Sequence, residues 1–270
     1  MPTVTAIRSP AVAGTFYPAS PPALRRCVTD SLERVTVTSQ IRSPKALIVP
    51  HAGFQYSGDV AASGYAQLRA VRHIVTRVIL VGPCHRVPLN GLAVPAADGF
   101  ATPLGTVPVD RDGVSELQTL PQVLTSDQPH LREHSLEVQL PFLQVLLDQF
   151  TVVPIAAGKA NAAEVAEVLS RVWGGPETLI VISSDLSHFH DYQTARALDR
   201  KTAELIETLQ YDRLTGQHAC GYVGIRGLLL RATELVLRVE AIDLRNSGDT
   251  AGSPSEVIGY GAFVAGRTNA

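Results

Sequence analysis

The feature that most restricts the fold of this sequence is a short apolar run that ends directly in a histidine. Residues 46–49 are apolar, Pro50 ends the run, and His51 follows in a turn that contains Gly53. Residues 57–68 then carry apolar side chains at helical spacing. This strand, loop and helix unit is typical of an open α/β sheet, in which ligands bind beyond the carboxyl ends of the strands. The pattern therefore predicts that His51 lies at a ligand-binding edge.

A second apolar run, residues 78–81, leads to His85 in the same way. The matched spacing predicts two consecutive parallel strands joined by a crossover helix. Adjacent strands of this kind would bring His51 and His85 within reach of one metal ion. The alternative interpretation is that both are surface histidines that do not meet.

The densest group of polar residues follows another apolar run, residues 179–182. Asp185 and His188 stand three positions apart and could meet on one turn, where the carboxylate would orient the imidazole for acid–base catalysis. Alternatively, Asp185 caps the next segment and His188 is solvated. His134 stands at the predicted start of an apolar helix, whose dipole would disfavour the charged form of the imidazole. It could equally be a simple cap.

Three cysteines, Cys27, Cys84 and Cys220, are too widely spaced to indicate a disulfide framework. Cys220 precedes an apolar helix, and a thiol at a helix N-terminus is expected to have a lowered pKa. The thiolate is the form that binds metals or acts as a nucleophile. A buried and inert Cys220 is the alternative.

The composition bounds the class of protein. The chain has 270 residues, is 45% apolar and carries a formal net charge of -2, which supports one continuous core and a single domain over residues 1–270. Phosphate backbones require clustered Lys and Arg, so direct nucleic-acid binding is not expected. The N-terminus lacks a secretory pattern, and no apolar stretch reaches the about 20 residues needed to cross a bilayer. These observations predict a cytoplasmic protein without membrane contact.

Six segments of the chain resemble the Memo family (mediator of cell motility), whose bacterial and archaeal members are also called AmmeMemoRadiSam system protein B. They occur in the family order: AGTFYP, PHAGFQYSG, GPCHR, EHSLEVQLPFL, SSDLSHFH and HACG. The Memo family is similar in fold to the class III extradiol ring-cleaving dioxygenases related to the LigB subunit. The resemblance therefore implies an α/β/α sandwich with a central mixed, largely parallel sheet and a non-haem metal pocket.

The resemblance also implies roles for six residues: His51, His85 and Cys220 as metal ligands, and His188, Asp185 and His134 around the same pocket. Among these, His188 matches the histidine that serves the dioxygenases as acid or base. The dioxygenases complete their metal site with a carboxylate. The resemblance implies that Cys220 of this chain supplies a thiolate at that position. Fe(II) is the expected ion, and copper or zinc is an alternative because a thiolate is a softer ligand. The spacing of the residues alone does not choose Cys220 over Asp185 as the third ligand.

Three functions are compatible with these residues. The first is a metal-dependent, dioxygenase-like redox protein acting on a small diol-like or aromatic ligand. The second is a hydrolase that uses Cys220 as a nucleophile or a zinc ion with water. The third is a non-enzymatic adaptor that binds a peptide or small ligand, as the family name suggests. The association of the family with radical SAM and AMMECR-type proteins implies pathway partners of those kinds.

Overall fold

The computed structural model describes residues 6–267. Both ends of the predicted 1–270 domain lie outside the described residues. The start of the N-terminal segment, on which the absence of a secretory pattern was judged, is among them. Strands β1–β12 occupy Ile7–Arg8, Ser43–Val49, Arg77–Pro83, Leu92–Val94, Gly99–Thr102, Gly105–Pro108, Val123–Thr125, Thr151–Ala157, Thr178–Ser183, His188–His190, Arg238–Asn246 and Val257–Arg267. Helices α1–α8 occupy Pro21–Glu33, Phe54–Tyr65, Arg111–Leu117, Gln128–Leu131, Leu140–Leu146, Ala162–Arg171, Tyr192–Glu207 and Tyr222–Glu234.

A mixed sheet with a parallel centre forms the core of the fold. Strands β2, β9, β3 and β8 are parallel and neighbour one another in that order. Antiparallel strands extend the sheet on both sides, with β12 beside β2 and β4 beside β8. β11 and β12 form an antiparallel pair near the C-terminus. The fold class predicted from the sequence is confirmed.

The predicted neighbour relationship between the first two strands is wrong. β9 lies between β2 and β3, so that Ile180 faces Ala46 on one side and Ile79 on the other. Every residue of β9 is buried, and a strand of this kind gains most from a central position with both faces covered. The carboxyl ends of the three strands still meet at one edge of the sheet.

Helices cover both faces of the sheet. Consecutive strand residues point to opposite faces, and Val81 and Gly82 show what lies on each. The side chain of Val81 faces α8, close to Gly224, whereas a side chain at Gly82 would meet Ser135 and Leu136 before α5. The segment that carries His134 therefore lies on the face opposite α8. Within residues 6–267, no helix is both long enough and apolar enough to cross a membrane.

A small second sheet joins the N-terminal segment to the core. Three short strands divide between the two sheets, since β4 enters the main sheet and β5 pairs with β6. β1 adds to β5 in parallel. This arrangement brings Arg8 into the protein interior, where its side chain is 3% exposed.

Three non-glycine residues in the described chain have a left-handed backbone: Phe189, Leu209 and Val236, with φ of 61°, 58° and 53°. Leu209 and Val236 end α7 and α8, where the amides of Gln210 and Leu237 close the final turn on carbonyls five residues earlier. Glycine normally occupies such positions because a side chain there costs about 1–2 kcal/mol. Phe189 ends no helix, and it stands between two histidines.

Candidate metal centre

Three histidines come together beyond the carboxyl ends of β2 and β3. Each of His51, His85 and His134 offers a ring nitrogen, and these atoms all lie within 4.8 Å of one another. The ring centroids are 5.3 Å apart for His51 and His85, and 4.9 Å apart for His85 and His134. Two nitrogens bound to one ion at about 2.0–2.1 Å lie roughly 3–4 Å apart. The cluster therefore needs little rearrangement to hold a metal ion.

Hydrogen bonds set the tautomer of His51. The hydroxyl of Ser183 donates its only proton to the carbonyl of Ser135, at 2.6 Å. The Ser183 oxygen must therefore accept a hydrogen bond from the protonated Nδ1 of His51, 2.9 Å away. This leaves Nε2 of His51 unprotonated and able to bind a metal. Burial, assisted by the neighbouring His85, lowers the pKa of His51 to about 3, so the ring is neutral at physiological pH.

Glu133 holds His85 in the corresponding way. Its Oε1 accepts from Nδ1 of His85 at 2.9 Å, and its Oε2 accepts from the His85 amide at 2.6 Å. Oε1 also accepts from the amides of His134 and Ser135. Burial would raise the pKa of Glu133, but these hydrogen bonds and the nearby His85 outweigh it and lower the pKa to about 2. A charged carboxylate thus fixes the proton on Nδ1 and leaves Nε2 of His85 free.

His134 lies between the rings of His85 and Phe16 and completes the cluster. Its Nδ1 is buried without a hydrogen-bond partner among the described residues, which is unusual for a polar atom in a protein interior. Burial, assisted by the neighbouring His51, lowers the pKa of His134 to about 4. This lowering agrees in direction with the expectation from the sequence, but its main cause is burial and not a helix dipole.

Cys220 lies on the other side of His51. Its amide donates to the carbonyl of Asp185 at 3.2 Å, and the amide of Gly221 donates to Ser184 Oγ. These bonds attach the start of α8 to the end of β9. The Sγ atom lies 3.3 Å from Nε2 of His51, although Cys220 is not a member of the group of three histidines.

The prediction that the pKa of Cys220 is lowered is wrong. Burial raises the pKa of this thiol, and the Asp185 carboxyl raises it further. The N-terminus of α8 does not compensate, because desolvation of a thiolate outweighs the helix dipole at this buried position. The protein therefore favours the thiol form of Cys220.

Asp185 and His188 occupy the same pocket but do not form the expected contact. Asp185 is 4% exposed, and its Oδ1 accepts from the backbone amide of His51 at 2.7 Å. The carbonyl of Leu186 accepts from Nδ1 of His188 instead, at 2.8 Å. A carbonyl can only accept, so Nδ1 carries the proton and Nε2 can accept one. Asp185 thus positions the His51 loop, while a backbone carbonyl orients His188.

A cavity of about 650 Å³ opens onto these groups. We name it the histidine cavity, and its lining combines ionisable and aromatic residues: His51, His85, His134, Asp185, His188, Phe16, Tyr56, Phe189 and Tyr260. Phe189 is 69% exposed, which places a large apolar ring at the rim. A ligand in this cavity would contact both the candidate metal ligands and the free nitrogen of His188.

Five of the six predicted site residues line the histidine cavity, and Cys220 approaches the cluster from behind His51. Their predicted roles stay predictions, including the choice of third ligand. The role of Glu133 was not predicted from the sequence. Its position directly before His134 is the one available signal, since carboxylates commonly support metal-binding histidines.

Comparisons with known proteins point to one family. The family model described as Memo-like protein matches residues 8–264. A MEMO1 family protein of Methanosarcina barkeri is 35% identical, over 96% of this chain and 99% of its own length. A MEMO1 family protein of Thermotoga maritima is also 35% identical, over 94% of this chain and 97% of its own. The crystal structure of an uncharacterized protein from Escherichia coli K12 covers 80% of this chain and 98% of its own, with 15% identity and a TM-score of 0.47.

Proposed function

This chain belongs to the Memo family, and we propose that it is a metal-dependent, dioxygenase-like redox protein that binds Fe(II) or copper and acts on a small aromatic or diol-like ligand. The main support is the cluster of three imidazoles beside a cavity lined by aromatic rings. Neutral imidazole is a ligand for iron, copper and zinc. We also propose a cytoplasmic location and pathway partners of the radical SAM and AMMECR-type classes.

His51 and His85 would hold the metal through their Nε2 atoms, with either Cys220 or His134 as the third ligand. Bound there, the ion would supply redox and Lewis-acid chemistry. Glu133 and Ser183 support this role, because each keeps the proton on the opposite nitrogen of its histidine. Burial of His51, which is 2% exposed, strengthens the electrostatic interactions around this ligand.

His188 is the proposed acid–base group. Its protonated Nδ1 is held by the Leu186 carbonyl, so Nε2 can accept a proton from a hydroxyl group of the ligand. The rings of Phe16, Tyr56 and Phe189 would pack against a planar ligand. A hydrolase with Cys220 as nucleophile is less well supported, because burial raises the pKa of that thiol.

Metal analysis of protein purified without oxygen tests the proposal. We expect about one equivalent of iron or copper per chain, identified by X-ray fluorescence at the absorption edges of iron, copper and zinc. Zinc alone would contradict the redox function and favour a metal hydrolase. Protein without a stoichiometric metal would contradict both.

The third ligand can be identified by comparing Cys220→Ser with His134→Gln. Sulfur and nitrogen bound to one ion at about 2.3 and 2.0 Å lie roughly 3.5 Å apart in a tetrahedral site, and Cys220 Sγ lies 3.3 Å from His51 Nε2. We therefore expect Cys220→Ser to weaken metal binding more strongly, as measured by titration against a competing chelator. The reverse order would make His134 the third ligand.

Glu133→Gln is expected to reduce metal affinity by about 10–100-fold, the usual effect of removing a carboxylate that supports a ligand histidine. The NH2 group of the glutamine would lie beside N–H groups that now donate to the Glu133 carboxylate. His85 would then lose the hydrogen bonds that fix its orientation. Glu116, an exposed residue of α3, provides a matched control as Glu116→Gln. Equal affinities of the two variants for the metal would show that Glu133 has no positioning role.

Phe189→Gly is expected to weaken ligand binding without loss of stability. Glycine relieves about 1 kcal/mol of left-handed strain, whereas the loss of one aromatic contact costs about 1 kcal/mol, or about fivefold in affinity. Calorimetric titration with catechol and thermal unfolding measure the two effects. Val236→Gly, at an exposed helix end, should show the stabilisation alone. Unchanged catechol affinity in Phe189→Gly would exclude a ligand contact.

A further inference from the structure

A second cavity, of about 490 Å³, lies on the α8 side of the metal centre. It is bounded by the ends of β3 and β8, the segment 87–90 and the first turn of α8. We name it the thiol cavity because Cys220 lines it. His85 is shared with the histidine cavity, whereas His51 and His134 line only the histidine cavity.

The position of Cys220 separates the two cavities. Its sulfur contacts Nε2 of His51 on one side, and on the other side the residue borders the thiol cavity. Cys220 does not line the histidine cavity. A molecule in the histidine cavity therefore meets all three imidazoles, whereas a molecule in the thiol cavity meets the sulfur and His85.

The walls of the thiol cavity restrict what it can admit. The lining is largely apolar, with Val81, Val87, Leu89, Ile182 and Val223, and its polar side chains include His85, Asn90 and Ser183. The Cys84 thiol is engaged with the Val87 carbonyl at 3.3 Å. The lining also includes Lys159, which is exposed to solvent. Apolar surroundings disfavour entry of ions, since a charge loses its hydration there without compensation.

We propose that the thiol cavity is a separate route by which small uncharged molecules, of the size of dioxygen, reach Cys220 and the metal centre, while the organic ligand occupies the histidine cavity. The route to the sulfur is a property of the fold. Its use by a co-substrate of the metal rests on the proposed function. Two routes would let the organic ligand remain bound while the small molecule arrives from the opposite side of His51.

The test measures how fast Cys220 forms a mixed disulfide with a methanethiosulfonate reagent, releasing methanesulfinate, in metal-free protein. The substitutions Cys27→Ser and Cys84→Ser leave Cys220 as the only thiol, and the hydroxyl introduced by Cys84→Ser can keep the hydrogen bond to the Val87 carbonyl. The reagents are uncharged methyl methanethiosulfonate and its anionic sulfonatoethyl analogue. We expect the uncharged reagent to react faster than the anionic one, because the rate depends on access to the thiol. The ratio of the two rates in folded protein should exceed the ratio for the same protein in urea by at least about tenfold.

Blocking each cavity separately identifies the route. Val87→Trp, at a half-buried position of the thiol cavity, should slow the uncharged reagent about tenfold. Tyr56→Trp, which enlarges an aromatic side chain of the histidine cavity, should leave the rate unchanged. Val223→Phe provides a second block from α8 if Val87→Trp does not fold.

Two results would overturn the inference. A rate slowed by Tyr56→Trp and not by the thiol-cavity variants would show that Cys220 is reached through the histidine cavity. Equal rates in all variants would show that neither cavity controls access. Because the measurement uses metal-free protein, its outcome is independent of whether iron or copper is bound, and it can fail while the proposed function holds.

Discussion

His51→Ala is expected to abolish stoichiometric metal binding, with a larger loss of affinity than the about 10–100-fold expected for a supporting residue. The variant removes the nitrogen that lies closest to Cys220 and belongs to the histidine cluster. His51 is therefore common to both candidate ligand sets, and its loss cannot be compensated by the choice of third ligand. Metal content after anaerobic purification and chelator titration measure the effect.

His73→Ala is the matched control for this experiment. His73 is exposed, with its ring 62% accessible, and it contacts Asp148 at the surface. We expect this variant to retain the wild-type metal content. Circular dichroism would establish that His51→Ala is folded. Full retention of iron or copper in folded His51→Ala would contradict the proposed metal centre.

Glu137→Gln is expected to lower the free energy of unfolding by roughly 3–5 kcal/mol, because it leaves the Arg8 guanidinium buried without its counter-charge. The Glu137 side chain is fully buried and forms an ion pair with Arg8. It also accepts from the Tyr17 hydroxyl and the Val12 amide. An amide cannot accept from all these donors, so at least one donor would be left unsatisfied. Chemical denaturation measures the change.

Asp59→Asn is the matched control, because it breaks an exposed ion pair with Arg34, whose side chain is 58% accessible. Pairs of this kind contribute about 0–1 kcal/mol. If Glu137→Gln destabilised the protein no more than this control, the buried pair would not anchor the N-terminal segment. The anchor also reaches the metal centre, since Arg8 donates to the carbonyl of Glu133.

The local pattern of the chain predicted much of the sheet. Runs such as 46–49 and 179–182 form strands because they are apolar, short and followed by residues that end a strand. For the same reason the histidines after them were correctly placed at the carboxyl edge. His51 and His85 meet there even though their strands are not neighbours.

The resemblance to a family added what spacing could not supply, namely Cys220 as a candidate ligand. The structure supports its closeness to His51 but also places His134 in the cluster. Local sequence could not distinguish these arrangements, because ligand distances depend on how the face that carries His134 and the face that carries α8 are packed.

Two properties depended on contacts between residues far apart in the chain. The central place of β9 follows from the burial of both its faces, which no short segment of sequence encodes. The raised pKa of Cys220 follows from desolvation by the assembled sheet and helix, whereas the sequence showed only the helix that would lower it. Strand formation and the kinds of side chain at each strand end are local properties of the chain. Strand order, burial and the protonation of the site are set by long-range packing.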